Sequence, residues 1–153
     1  MKRGGSGAAN RGYNARVGDA TPPITAELIW DRDLRFGATT DEHAIVIDSD
    51  KQAGPSPMQL LAIGVAGCMA IDVVSILTKG RHPLTGLRAS LTGERLPVPP
   101  KRFVALTLHF HVSGAVPVEA IERAIALSHE KYCSVWHSLR QDIAFTTTFE
   151  QHL

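Results

Sequence analysis

Cysteine is scarce in this chain. Two residues, Cys68 and Cys133, stand in 153, too few to staple a small secreted disulfide scaffold. An excess of charge of one sign is also missing. Sixteen Lys and Arg face fifteen Asp and Glu, a net charge of +1, so global electrostatics gives no case for nucleic acid or for an anionic membrane surface as partner. The longest uncharged run, residues 52–71, is interrupted by Gly54, Pro55 and Pro57, and no membrane-spanning segment is expected. Met1-Lys2-Arg3 is followed by Gly, Ser, Ala and Asn and not by an apolar stretch. No secretory signal is read there, and the expected compartment is the reducing cytoplasm. Repeats of about 20 residues or more are absent.

What remains is ordinary for a globular domain. Hydrophobic residues make up 44% and charged residues 20%, too apolar for a disordered chain and enough for one core. Residues 1–23, rich in Gly, Ala, Asn and Arg and ending in Pro22-Pro23, read as a flexible basic tail. The domain is expected over residues 24–153.

Three short strands are expected over residues 24–30, 35–39 and 44–48, an antiparallel meander. Gly54-Pro55-Ser56-Pro57 then breaks the chain and opens its best helix, residues 58–79. Ser56 suits the N-cap, Pro57 the first helical position, and Gln59 closes a capping box, with Gly80 as C-cap. The helix is apolar nearly all round, so it is expected to be buried. Its small residues, Ala62, Gly64, Ala66, Gly67 and Ala70, let a second backbone approach closely. Two longer strands, residues 84–96 and 103–113, alternate with period two. Val104, Leu106, Leu108, Phe110 and Val112 are assigned to the core face, His109 and His111 to the other. A helix over 118–127, a polar break over 128–132, a short helix over 133–141 and a strand over 143–150 complete the chain. Segregated strands argue an α+β fold with antiparallel sheets, not a parallel doubly wound one.

Chemistry is sought first at the cysteines. Cys68 lies inside the buried helix, where a free thiol is commonly an inert core residue. Cys133 begins a short helix, where the helix dipole and unpaired N–H groups lower a thiol pKa. Metal ligation is not expected. Cys133 and His137 are four apart and His109 and His111 share a strand face, but CxxC, HxxxH and HExxH spacings are missing, so a solvated face is the preferred reading. GxSxG, GxGxxG and a Walker loop are missing too, and no cofactor is expected.

Two motifs, in this order, carry a resemblance. One is Ala53-Gly54-Pro55-Ser56-Pro57-Met58-Gln59-Leu60, continued by Ala66-Gly67-Cys68 and Ile71-Asp72-Val73-Val74-Ser75-Ile76-Leu77. The other is Leu127-Ser128-His129-Glu130-Lys131-Tyr132-Cys133-Ser134-Val135. With the order of elements they resemble the OsmC/Ohr family of osmotically induced and organic-hydroperoxide-resistance proteins, most of all its YhfA-like subgroup, over residues 25–150. The resemblance implies an intertwined homodimer with sheets wrapped around two central helices. It implies a peroxidatic Cys68, a resolving Cys133, an apolar hydroperoxide as substrate and an external dithiol as reductant. It also implies an arginine from the early strands. Arg35 and Arg32 are the candidates, and Arg35 is preferred because it begins the second strand. The family's glutamate after the motif's proline is Met58 here, so the arrangement that orients the arginine is absent or rebuilt. Asp72, one turn beyond Cys68, opposes a thiolate by its charge. A non-enzymatic protein of the same fold, holding a small apolar or thiol-reactive ligand between subunits, is the alternative.

Overall fold

Ser56 starts the longest helix, as its side chain predicts. In the computed structural model, which describes residues 21–153, the Gln59 backbone N–H donates to Ser56 Oγ at 3.4 Å. The Ser56 N–H donates to Gln59 Oε1 at 2.9 Å. This capping box and Pro57 set the start of α1 (Pro57–Lys79), with Gly80 as its C-cap. All but residues 21–23 of the expected basic tail lies outside the described residues.

The meander forms β1 (Glu27–Arg32), β2 (Arg35–Thr40) and β3 (His43–Asp48), all antiparallel. Asp33 and Asp41 take positive φ, 45° and 50°, in its two turns, a conformation that Asp tolerates better than most residues. The register sets Arg35 opposite Asp48.

The second sheet holds β4 (Gly86–Arg95), β5 (Phe103–Ser113) and β6 (Ala144–His152), with β5 central. The expectation of purely antiparallel sheets is corrected here. β4 and β5 are antiparallel, but β6 runs parallel to β5. Between them lie α2 (Val118–Leu127), a π-helical turn at Ser128–Tyr132 and α3 (Ser134–His137), and a helical crossover of this length is what a parallel pair needs. The expected polar break is also corrected. Residues 128–132 continue the helical path of α2 with one wider turn, which buries Ser128. α3 is a single turn, not the longer helix expected over 133–141. Gln141 Nε2 donates back to the Trp136 and Leu139 carbonyls.

The core lies between α1, β5 and α2. Val65, Met69, Val73 and Leu77 recur every four residues along one stripe of α1. They meet Leu106, Leu108, Phe110 and Val112 of β5 and Ile121, Ala124 and Ile125 of α2. Val104 is only half-buried. Phe103 takes its place, next to a register shift at Glu94/Arg95. By length and composition α1 could cross a membrane; here its buried stripe packs into this core. The rest of α1 is not covered by its own chain: Ile63 and Ile71 are 59% and 71% exposed, and a Cβ added at Gly67 would meet nothing within 4 Å. The first sheet likewise exposes Leu28, Ile29, Trp30 and Ile45.

Candidate active site

Two elements far apart in sequence bring the cysteines together. Cys68 lies midway along α1, half-buried, and Cys133 is the fully buried N-cap residue of α3. Both are free thiols, and Cys68 is near enough to the Cys133 thiol to help raise its pKa. The chain reaches this point through the π-helical turn, where the Cys133 backbone N–H donates to the Ser128 carbonyl at 2.9 Å.

The expected low pKa of Cys133 is not found. Burial pushes the thiol up to about 11, and Cys68 and the Asp72 carboxylate push in the same direction. The Trp136 backbone N–H donates to Sγ at 3.4 Å and opposes this, but a single helical turn supplies too little to win. Asp72 accepts from the buried Ser128 hydroxyl at 2.8 Å, so its carboxylate is held beside the thiols. The carboxylate charge acts on Cys133, whereas the sequence places its effect at Cys68.

Sequence reasoning passed over Ser128, His129 and Trp136. His129 stacks on Trp136, with ring centroids 5.5 Å apart, and meets the edge of Phe145 at 5.2 Å. Its Nε2 is buried without a hydrogen-bond partner. The signal available was a polar Ser-His pair directly after an apolar helix, which reads as a break unless the chain stays helical.

Arg35 sits elsewhere, on the first sheet, half-buried, and its Nη2 donates to Asp48 Oδ2 at 3.3 Å. Asp48 is buried at the centre of the loop leading to α1, where it accepts from the backbone N–H groups of Asp50, Gln52 and Ala53 at 2.9–3.2 Å. The Ala53 N–H, the other backbone donors and the Arg35 charge hold its carboxyl below the ordinary range against the cost of burial. Gly54 lets this loop close, because a Cβ there would strike the Val46 carbonyl. Arg35 thus has a carboxylate partner, Asp48, supplied from the facing strand and not from the position of Met58. Its Nε is buried and donates to nothing. Arg32, the other candidate, is exposed and pairs with its neighbour Asp31 at 3.2 Å. Within one chain Arg35 is not among the groups that set the Cys133 thiol.

Known proteins share this fold and part of this sequence. The family model described as OsmC-like protein matches residues 49–148. Protein YhfA of Escherichia coli (strain K12) is 39% identical over 130 residues, covering 83% of this chain and 97% of that protein. A crystal structure of a hypothetical protein from Aquifex aeolicus VF5 superposes with a TM-score of 0.80 at 27% identity, covering 86% of this chain and 98% of the other. An organic hydroperoxide resistance protein OsmC from Legionella pneumophila shares the fold, with a TM-score of 0.65 at 18% identity and coverage of 86% and 98%. Two motifs in order, one fold and this level of identity lead to one conclusion: the chain belongs to the OsmC family.

Proposed function

We propose that the protein is a thiol-dependent redox protein of oxidative-stress defence that reduces organic hydroperoxides through Cys68 and Cys133. The observation that carries this is the meeting of two free thiols from separate elements. In the reaction the Cys68 thiolate attacks one peroxide oxygen, the O–O bond breaks, and the alkoxide leaves and takes up a proton. Cys68 becomes a sulfenic acid. The Cys133 sulfur then attacks the Cys68 sulfur, water leaves, and a disulfide forms, which an external dithiol reduces. The step needs no bound cofactor, and the reductant belongs to the cytoplasm. Relatives named for organic hydroperoxide resistance that share the fold support this substrate class.

The same proposal includes a homodimer. Ile63, Ile71 and the open Gly67 on α1, together with the apolar first sheet, leave surfaces that one chain does not cover. A second copy covers them and brings its Arg35, whose Nε lacks a partner, toward the thiols. Gly67→Leu fills space that is empty in the single chain, so it is expected to leave the fold intact and convert the dimer to monomer. Light scattering after size exclusion reads the change. A variant that stays dimeric places the contact elsewhere.

The direct test counts free thiols on reduced protein before and after one equivalent of cumene hydroperoxide, with intact mass. Loss of both thiols and of two hydrogens is expected. One observation favours a second reading, a binding protein of the same fold: Cys133 sits beside the Asp72 carboxylate with a raised pKa. In that case both thiols survive excess peroxide, and ligand binding persists when both cysteines are replaced.

A further inference from the structure

The outer face of the second sheet collects three of the chain's seven histidines around one carboxylate. Side chains on a strand alternate between faces, so His109 and His111 of β5 point the same way, as do Glu150 and His152 of β6. Neither pair is a metal motif by spacing along the chain, which is why a solvated face was expected. The parallel register changes this. It sets His111 beside Glu150 and His109 beside Thr148.

We propose that His109, His111 and Glu150, with His152 as a fourth donor, form a binding site for one late first-row divalent ion of the zinc class. The donor atoms of His109, His111 and Glu150 all lie within 4.8 Å of one another. A tetrahedral zinc ion with bonds of about 2.0–2.1 Å holds its donors about 3.4 Å apart. The widest pair therefore closes by roughly 1.4 Å, while His111 and Glu150, now in direct contact, move apart to admit the ion, and partly exposed strand side chains can rotate that far.

Glu150 is the hub. One of its oxygens meets His111 Nδ1 and, at 3.0 Å, His152 Nε2, while the other lies 4.0 Å from His109 Nε2. His109 Nδ1 bonds Thr148 Oγ1 at 2.8 Å, which orients the ring and leaves Nε2 toward Glu150. Such an outer partner is what metal-ligating histidines ordinarily have. His111 also meets the Arg88 guanidinium, with Nη2 at 2.7 Å from Nε2. A guanidinium can only donate, so it occupies a lone pair of His111 and opposes a cation. Arg88 swings aside when the ion enters. Imidazole and carboxylate donors on a rigid sheet suit zinc, nickel or copper(II) over magnesium or calcium. The ion would pin β6 to β5 from outside, independently of the thiols in the core.

The test uses tag-free, chelator-stripped protein titrated with Zn²⁺ by calorimetry and with Co²⁺ by absorption. One equivalent per chain is expected. Affinity falls about tenfold or more in His111→Ala and in Glu150→Gln, stays unchanged in His137→Ala and in Cys68→Ser, and rises in Arg88→Gln. The Co²⁺ spectrum shows ligand-field bands without a thiolate charge-transfer band. His111 and Glu150 are surface groups, and circular dichroism checks that both variants fold. Absence of stoichiometric binding overturns the proposal. So does affinity indifferent to His111→Ala and Glu150→Gln, or a thiolate band that moves the ion to the cysteines.

Discussion

Cys68→Ser is expected to abolish peroxide consumption, while Cys133→Ser consumes one equivalent per chain and stops. The asymmetry follows from position. Cys68 is the half-buried thiol on α1 that a substrate can reach, whereas Cys133 is fully buried and can act only on a neighbouring sulfur. In Cys133→Ser the Cys68 sulfenic acid has no partner in the chain and persists for trapping by a dimedone reagent. The resolving step carries a second signature. The Cys133 thiol sits at about 11, so in the neutral range its thiolate fraction rises about tenfold per pH unit. Disulfide formation after a rapid peroxide pulse is expected to speed up with pH in the same proportion, as read by quenched-flow mass analysis. Unchanged steady-state turnover in Cys68→Ser would sink the assignment.

Arg35→Ala is expected to lower kcat/KM for an organic hydroperoxide by about a hundredfold, the scale of losing one preorganised charge-stabilising donor at a reacting centre. Arg35→Lys is expected not to rescue it. A lysine cannot spend one nitrogen on Asp48 and keep another in fixed geometry, which the planar guanidinium does. Asp48→Asn keeps the shape but removes the charge that faces Arg35 at 3.3 Å, and is expected to fall between wild type and Arg35→Ala. Arg32→Ala, which removes an exposed guanidinium paired to its own neighbour, leaves turnover unchanged. Acid sensitivity follows the same carboxylate. Asp48 is held below its ordinary value of 3.8. Its contribution to stability is therefore complete above that value and is lost as pH falls through the lower folded value. Wild type is expected to lose stability in that acid range more steeply than Asp48→Asn, measured by denaturant midpoints against pH. Equal turnover in Arg35→Ala and Arg32→Ala would remove Arg35 from the mechanism.

Much of the fold was legible because local chemistry and global packing agree. Ser56, Pro57 and Gln59 determine where α1 starts, since a cap acts within one turn. The alternation of Leu106, Leu108, Phe110 and Val112 determines which face of β5 is buried, since strand side chains repeat with period two. The motifs around Cys68 and Cys133 mark both thiols and the family.

Only the tertiary structure decided the rest, because each remaining feature depends on residues distant in sequence. The direction of β6 depends on how the α2–α3 crossover returns, which no strand pattern encodes. The Cys133 thiol is set by burial and by Asp72 and Cys68 of another helix, and these outweigh the local helix terminus that sequence reasoning could see. Arg35 finds its carboxylate at Asp48 because β2 and β3 are in register, so the missing glutamate at Met58 says less than it does in sequence. The histidines of β5 gain Glu150 only through the parallel register with β6. Spacing along the chain governs what a residue can cap or face, and only the packing of distant segments governs what it meets.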